Sequence, residues 1–179
     1  MTGTLLNLIM PFIALGLVYF IVKRRKLSFK NDIGIVFPTW QALIFWVVAF
    51  AGLIMVEEWI TQQSGNAPVE SWIGKYSTGE IVLRSLGIVL LAPLSEELLF
   101  RGLLYSRIKE TPLKYIGAIV IPAIIFALIH IQYSEALTFV IIFVDGLFLG
   151  LARHYSKSVL LAFLLHALAN LGAVIERLY

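Results

Sequence analysis

The chain is written as apolar runs of about twenty residues, the length a helix needs to cross a bilayer, separated by short polar or basic loops. The runs are Leu5 to Val22, Trp40 to Ile60, a longer region from Glu80 to Ile108, Leu113 to Ile131, Ala136 to Ala152 and Ser158 to Ile175. Hydrophobic residues make up 60% of the chain and charged residues 14%, against about 45–50% and 25% in soluble domains. No water-soluble core could absorb that excess. Continuous runs, with no period-two alternation, argue against a β-barrel and predict an all-α, polytopic membrane bundle of about six spans. The length predicts one membrane domain over residues 1–179, with no separate soluble domain.

The net charge of +3 is a topology signal, because the basic residues stand in short loops beside the apolar runs. It predicts a lipid bilayer as partner and no nucleic acid. Basic residues concentrate at positions 23–30, 101–114 and 153–157, while the 57–79 loop carries Glu57, Glu58 and Glu70 against one lysine. The positive-inside rule then places the three basic clusters in the cytosol and the 57–79 loop and both termini outside. Trp40 and Trp59 stand where interfacial aromatics belong. The first run lacks a preceding basic stretch and an A-x-A-like exit and is followed by Lys23–Lys26, so it reads as a retained anchor. Localisation in a cell membrane, the cytoplasmic membrane of a bacterium, is expected. The chain has no cysteine, which excludes disulfides, thiol nucleophiles and thiolate metal sites. Nothing in the sequence specifies an oligomeric state.

The region from Glu80 to Ile108 is too long for one straight span. Pro93 interrupts it, and Ser95-Glu96-Glu97 has the form of a helix start, with Ser95 as N-cap and two acids in the first turn. The expectation is a helix to about Ala92, a break near Pro93, and a second helix from Glu96 to Lys109. Broken helices at membrane depth mark cavities, because freed backbone groups need protein or water partners. Gly146 and Gly150 form a small-xxx-small spacing suited to close helix contact.

Six polar residues inside these apolar runs fall into three spaced groups: Glu96, Glu97 and Arg101; His130; and His166 and Asn170. An ionisable side chain in a bilayer costs roughly 2.5–3.5 kcal/mol on insertion scales, so a chain that keeps several has a use for them. Glu97 and Arg101 are i,i+4 with the acid first, the favoured orientation for an ion pair, and neutralising each other lowers the cost of both. Glu96 projects about 100° away round the helix, and a desolvated, unpaired carboxylate can serve as a general base near neutral pH. The plain alternative is that all three flank a cytosolic helix at the interface. His166 and Asn170 are also i,i+4 and share a face; taken alone they read as inter-helix hydrogen bonds, and His130 alone reads the same way. The set is more informative than its members. A carboxylate, two histidines and an amide supply a base, a proton partner or metal ligand, and oxyanion donors, the parts that peptide hydrolysis needs. No serine stands in a recognisable nucleophile turn.

Glu96-Glu97-x-x-x-Arg101, Phe126-x-x-x-His130 and His166-x-x-x-Asn170 resemble the three signature motifs of the CAAX protease and bacteriocin-processing (CPBP, or Abi) family of intramembrane proteases. The resemblance covers about residues 80–175. It implies that Glu96 and His130 activate the attacking water, that His166 and Asn170 steady the oxyanion, and that Glu97, Arg101 and Phe126 support them. A glutamate and two histidines are also donors that Zn²⁺ accepts, but no His-Glu-x-x-His helix is present and a glutamate-activated water needs no metal. No obligatory cofactor is expected. Counted along the helices at about 1.5 Å per residue, His166 lies about 13 Å beyond Lys157 and His130 about 24 Å beyond Lys114. The resemblance requires these two to meet.

The leading reading is an endopeptidase acting on a membrane-associated or lipid-modified peptide or protein near its cytosolic end. A non-enzymatic membrane immunity or regulatory partner that keeps the protease fold is the alternative. A third is a small transporter using the acids and histidines as a proton relay.

Overall fold

A computed structural model describes residues 2–64, 70–130 and 135–179, and among these every regular element is helical. Residues 65–69 of the polar loop and Ile131, the expected end of the fourth run, lie outside the described residues. The helices are α1 (Thr2–Arg24), α2 (Trp40–Gln63), α3 (Thr78–Leu86), α4 (Ala92–Glu97), α5 (Tyr105–Ile108), α6 (Lys114–Ile129), α7 (Ala136–Ser156) and α8 (Val159–Glu176). Among the described residues, three helices, α2, α7 and α8, are long and apolar enough to cross a membrane, whereas α6 has 16 residues. Six full crossings therefore do not follow from helix length alone. Large apolar side chains such as Phe12, Phe45, Val48, Met55 and Trp59 are exposed on the bundle surface, as a lipid-facing surface requires and a water-facing one forbids.

The expected break near Pro93 is not there. Backbone angles stay right-handed helical at Leu86, Leu91, Ala92, Glu97, Leu98 and Leu104, where α3, α4 and α5 join the segments between them. The helix runs on from Thr78 to Ile108, widened twice into π turns over Gly87–Leu91 and Leu98–Leu104. Such turns are rare and concentrate at functional sites. Ser95 is accordingly no N-cap: its hydroxyl donates to the carbonyl of Ala92, 2.9 Å away, one turn back in the same helix. Pro93 breaks nothing because the carbonyl its missing N–H would serve across a π turn, that of Ile88, accepts instead from the Asn170 amide at 2.8 Å. The true start of this long helix is Ser77, whose side chain and backbone exchange hydrogen bonds with Glu80 in a capping box.

The closest helix pairing is that of α6 with α7. A Cβ on Gly146 would stand 3.0 Å from Ala123, and one on Gly150 would stand 3.0 Å from Ile119. The small-xxx-small spacing thus brings two backbones together, as its sequence suggests. On the other side, α2 packs on α7 and α8 through Phe50, Leu149, Ala152, Leu161, Ala162 and Leu165. Trp46 and Phe50 meet Phe148 with ring centroids 5.2 Å apart.

One end of the bundle is tied by Arg153. Its Nε donates to the Arg101 carbonyl (3.0 Å) and its Nη2 to the Ile33 carbonyl (3.1 Å), while Val159 donates its N–H to Gly34. Gly34 has φ +84°, and a Cβ there would overlap the Arg153 guanidinium, so this turn needs glycine on both counts. Tyr105 and His154 are hydrogen-bonded 2.7 Å apart at the same end. The three basic clusters therefore gather on one side of the molecule. At the opposite end, Trp72 donates its backbone N–H to the Arg177 carbonyl at 2.8 Å, which seats the loop before α3 on the end of α8.

Candidate active site

Glu96 and Glu97 are adjacent in sequence and face different surroundings. Glu97 is fully buried, and its Oε1 accepts from Arg101 Nη1 at 2.8 Å and from His166 Nδ1 at 2.9 Å. A carboxylate oxygen only accepts, so Nδ1 of His166 carries a proton there. Arg101 uses its other terminal nitrogen on the Gly146 carbonyl (3.0 Å), and its guanidinium carbon lies 4.7 Å from the centre of the Phe126 ring. The i,i+4 ion pair expected from sequence is thus present and almost wholly desolvated. The further hydrogen bonds offset part of the cost of desolvating the pair, while Glu97 Oε2 and Arg101 Nε are buried with no hydrogen-bond partner among the described residues.

Glu96 turns the other way, with 27% of its side chain exposed. Its Oε2 is 3.8 Å from His166 Nε2, beyond hydrogen-bond reach. His166 thus has one carboxylate at each ring nitrogen. His130 caps the C-terminal end of α6, with its Nδ1 2.6 Å from the Phe126 carbonyl; since a carbonyl only accepts, Nδ1 donates. Phe126 stands among these groups: its ring centroid is 4.6 Å from His130, 5.5 Å from His166 and 5.6 Å from Phe100. The Phe126-x-x-x-His130 spacing therefore serves both the ring stack and the hydrogen bond that fixes the imidazole.

A cavity of about 830 Å³ is lined by Glu96, His130, His166 and Asn170 together, with α1 as one wall. The two histidines meet here although their helical path lengths differ, because α6 ends at His130 while α8 carries His166 mid-helix. The cavity reaches Trp72 and Arg177, at the end away from the basic loops. A second chamber of about 110 Å³ lies behind, also lined by His130, His166 and Asn170, and by Asp145.

Three polar residues escaped the sequence reading, Asp145 half-buried and Arg153 and Glu57 buried. Asp145 stands in the middle of an apolar run, the same signal that singled out the other six. Arg153, read as a loop charge, belongs to α7 and is buried. Glu57, read as part of an external loop, lies within α2 and is buried. Among the described residues, no three His, Asp or Glu side chains converge closely enough to hold a metal ion. Glu97 Oε1 and one nitrogen of each histidine are already engaged. No step below is routed through a metal ion.

Residues 78–172 match the family described as type II CAAX prenyl endopeptidase Rce1-like. A protein of Escherichia coli described as an uncharacterized 24.3 kDa protein is 32% identical over 127 residues, which is 68% of this chain. The match spans 58% of that relative's length. No solved structure matches.

Proposed function

Because the chain belongs to the type II CAAX prenyl endopeptidase Rce1-like family, a family of membrane proteases, we propose that it is an intramembrane endopeptidase for a membrane-associated or lipid-modified peptide or protein. The observation that carries this reading is the convergence of Glu96, His130, His166 and Asn170, from three separate helices, on one cavity.

In the proposed reaction a water held between Glu96 and His130 attacks the scissile carbonyl carbon. Glu96 takes the proton and later returns it to the leaving amine, work that contributes about 10²–10⁴-fold in other enzymes. With Nδ1 of His130 committed to Phe126, its Nε2 is the atom that orients the water. With its Nδ1–H bonded to Glu97, His166 would stabilise the oxyanion as the doubly protonated imidazolium, whose second proton sits on Nε2. Asn170 already spends one amide N–H on Ile88, so its second N–H is the one available to the oxyanion. Preorganised donors of this kind are worth about 10²–10³ each. Glu97, Arg101 and Phe126 hold the two imidazoles in place without touching the substrate.

The protein is proposed to be multi-pass in a cell membrane with the basic loops cytosolic. The cavity runs away from those loops, so the proposed substrate reaches the site from the Trp72–Arg177 end. The test is cleavage of a mixed peptide and membrane-protein library by the purified full chain in proteoliposomes, with Glu96→Gln as control. Cleavage by the parent and none by the variant supports the reading. A parent that cleaves nothing yet binds a membrane protein equally well with and without the substitution favours an immunity or regulatory partner.

A further inference from the structure

The inner chamber has a polar group that the proposed reaction does not use. Asp145 of α7 lines it, with His130, His166 and Asn170 as the partition between chamber and outer cavity. Its Oδ1 is buried and has no hydrogen-bond partner among the described residues. The charged groups that act on Asp145 come from three neighbouring elements: His166 of α8, Arg101 of the second π turn and Glu57 of α2. Glu57 is also buried, and its Oε1 is likewise without a partner. An unpaired buried carboxylate oxygen costs several kcal/mol in an apolar site, while a chamber of about 110 Å³ exceeds the ~10–15 Å³ of probe-occupied volume one water needs. A polar, roomy chamber with several convergent acceptors is the kind that fills with ordered water, and apolar ones stay dry.

We propose that Asp145 is a positioning residue of the peptidase site, acting through ordered water in the inner chamber to fix the orientation of the His130–His166 pair from behind. The proposal rests on the endopeptidase reading of the Glu96 site and adds a member to it. Both histidines line the outer cavity and the inner chamber. They are bonded to the Phe126 carbonyl and to Glu97 respectively; Phe126 also lines the chamber, Glu97 lines neither space, and among the carboxylates only Asp145 shares the chamber with the two imidazoles. Positioning groups of this type matter because small displacements of a reacting geometry cost about 10²-fold.

Two measurements test it, and the first needs no substrate. The chain contains no cysteine, so single substitutions report water access cleanly. Asp145→Cys, Ala173→Cys in the outer cavity wall and Leu161→Cys in the apolar core are reacted with a small thiol reagent in proteoliposomes. Because only the thiolate reacts and it needs hydration, position 145 is expected to label within about tenfold of position 173, and position 161 not at all. Labelling at 145 as slow as at 161 means a dry chamber and overturns the proposal. In the second, Asp145→Asn is expected to lower kcat roughly 10- to 100-fold with KM and thermal midpoint near the parent's, and Asp145→Glu to recover part of the rate. A wild-type kcat in Asp145→Asn, or a loss that tracks unfolding with no recovery in Asp145→Glu, overturns it as well. If the parent cleaves nothing, the endopeptidase reading is what fails, and the labelling result alone decides whether the chamber holds water.

Discussion

The side-chain amide of Asn170 donates to the Ile88 carbonyl at 2.8 Å, and Ile88 is the residue whose carbonyl Pro93 leaves without a helical partner. A side chain read from sequence as an oxyanion donor is therefore also the patch over a proline gap. The first prediction separates the two roles. Asn170→Ala should cost about 1–3 kcal/mol of stability by leaving a half-buried carbonyl without its partner. Adding Pro93→Ala restores an N–H to that carbonyl and should return part of the thermal stability in detergent, but not the cleavage activity. A double variant no more stable than Asn170→Ala would sink the account.

Glu97 and Arg101 form the buried pair. Removing either charge alone, as in Glu97→Gln or Arg101→Met, should cost about 3–5 kcal/mol, because the partner is left charged and desolvated. The paired replacement should cost less than the sum of the two, a coupling that thermal unfolding of the four proteins would measure. Simple additivity would mean that the two side chains do not depend on each other.

Glu96 lines the cavity and makes no hydrogen bond among the described residues, so Glu96→Gln should fold like the parent. Its cleavage rate is expected to fall about 10²–10⁴-fold. Incubation with a chelator should leave the parent rate unchanged. A rate lost to chelator and regained with Zn²⁺ would replace the glutamate-activated water with metal chemistry.

Gly146 sets the distance between α7 and α6. Gly146→Val pushes a branched side chain into the Ala123 backbone, already 3.0 Å from where a Cβ would sit, and overpacking of this kind costs about 1–3 kcal/mol. Since α6 ends in His130, the variant should also lower kcat more than KM changes. Gly52, with open space around it, is the control position: Gly52→Ala should be silent in both assays.

The helical class, the crowding at Gly146 and Gly150, and the Glu97–Arg101 pair were legible because each rests on local spacing, with a period of 3.6 residues. So was the set Glu96, His130, His166 and Asn170, because an ionisable or amide side chain in an apolar run is expensive wherever it occurs. Asp145 has the same signature within Phe143–Leu147, a lone acid in an apolar run, but no polar residue at i±3 or i±4 marks it as part of a motif. The continuity at Pro93 was not legible. Proline breaks a helix when its freed carbonyl has no other partner, and here the partner comes from Asn170, 82 positions away in sequence. Arg153 was misjudged for a similar reason: a basic residue at a helix end looks solvated until a turn such as Ile33–Gly34 folds over it.

The two π turns have one further consequence. A π turn takes in an extra residue without a matching advance along the axis, so it shifts the angular phase of everything beyond it by about 100°. The Gly87–Leu91 turn sets the azimuth of Glu96 and Glu97 relative to Trp72 and Arg84 at the mouth, and the Leu98–Leu104 turn sets it relative to Tyr105 and the basic end. Deleting a single residue from either segment would barely shorten the helix. It would rotate one half against the other, and could exchange which of the two neighbouring acids meets the substrate and which meets the arginine.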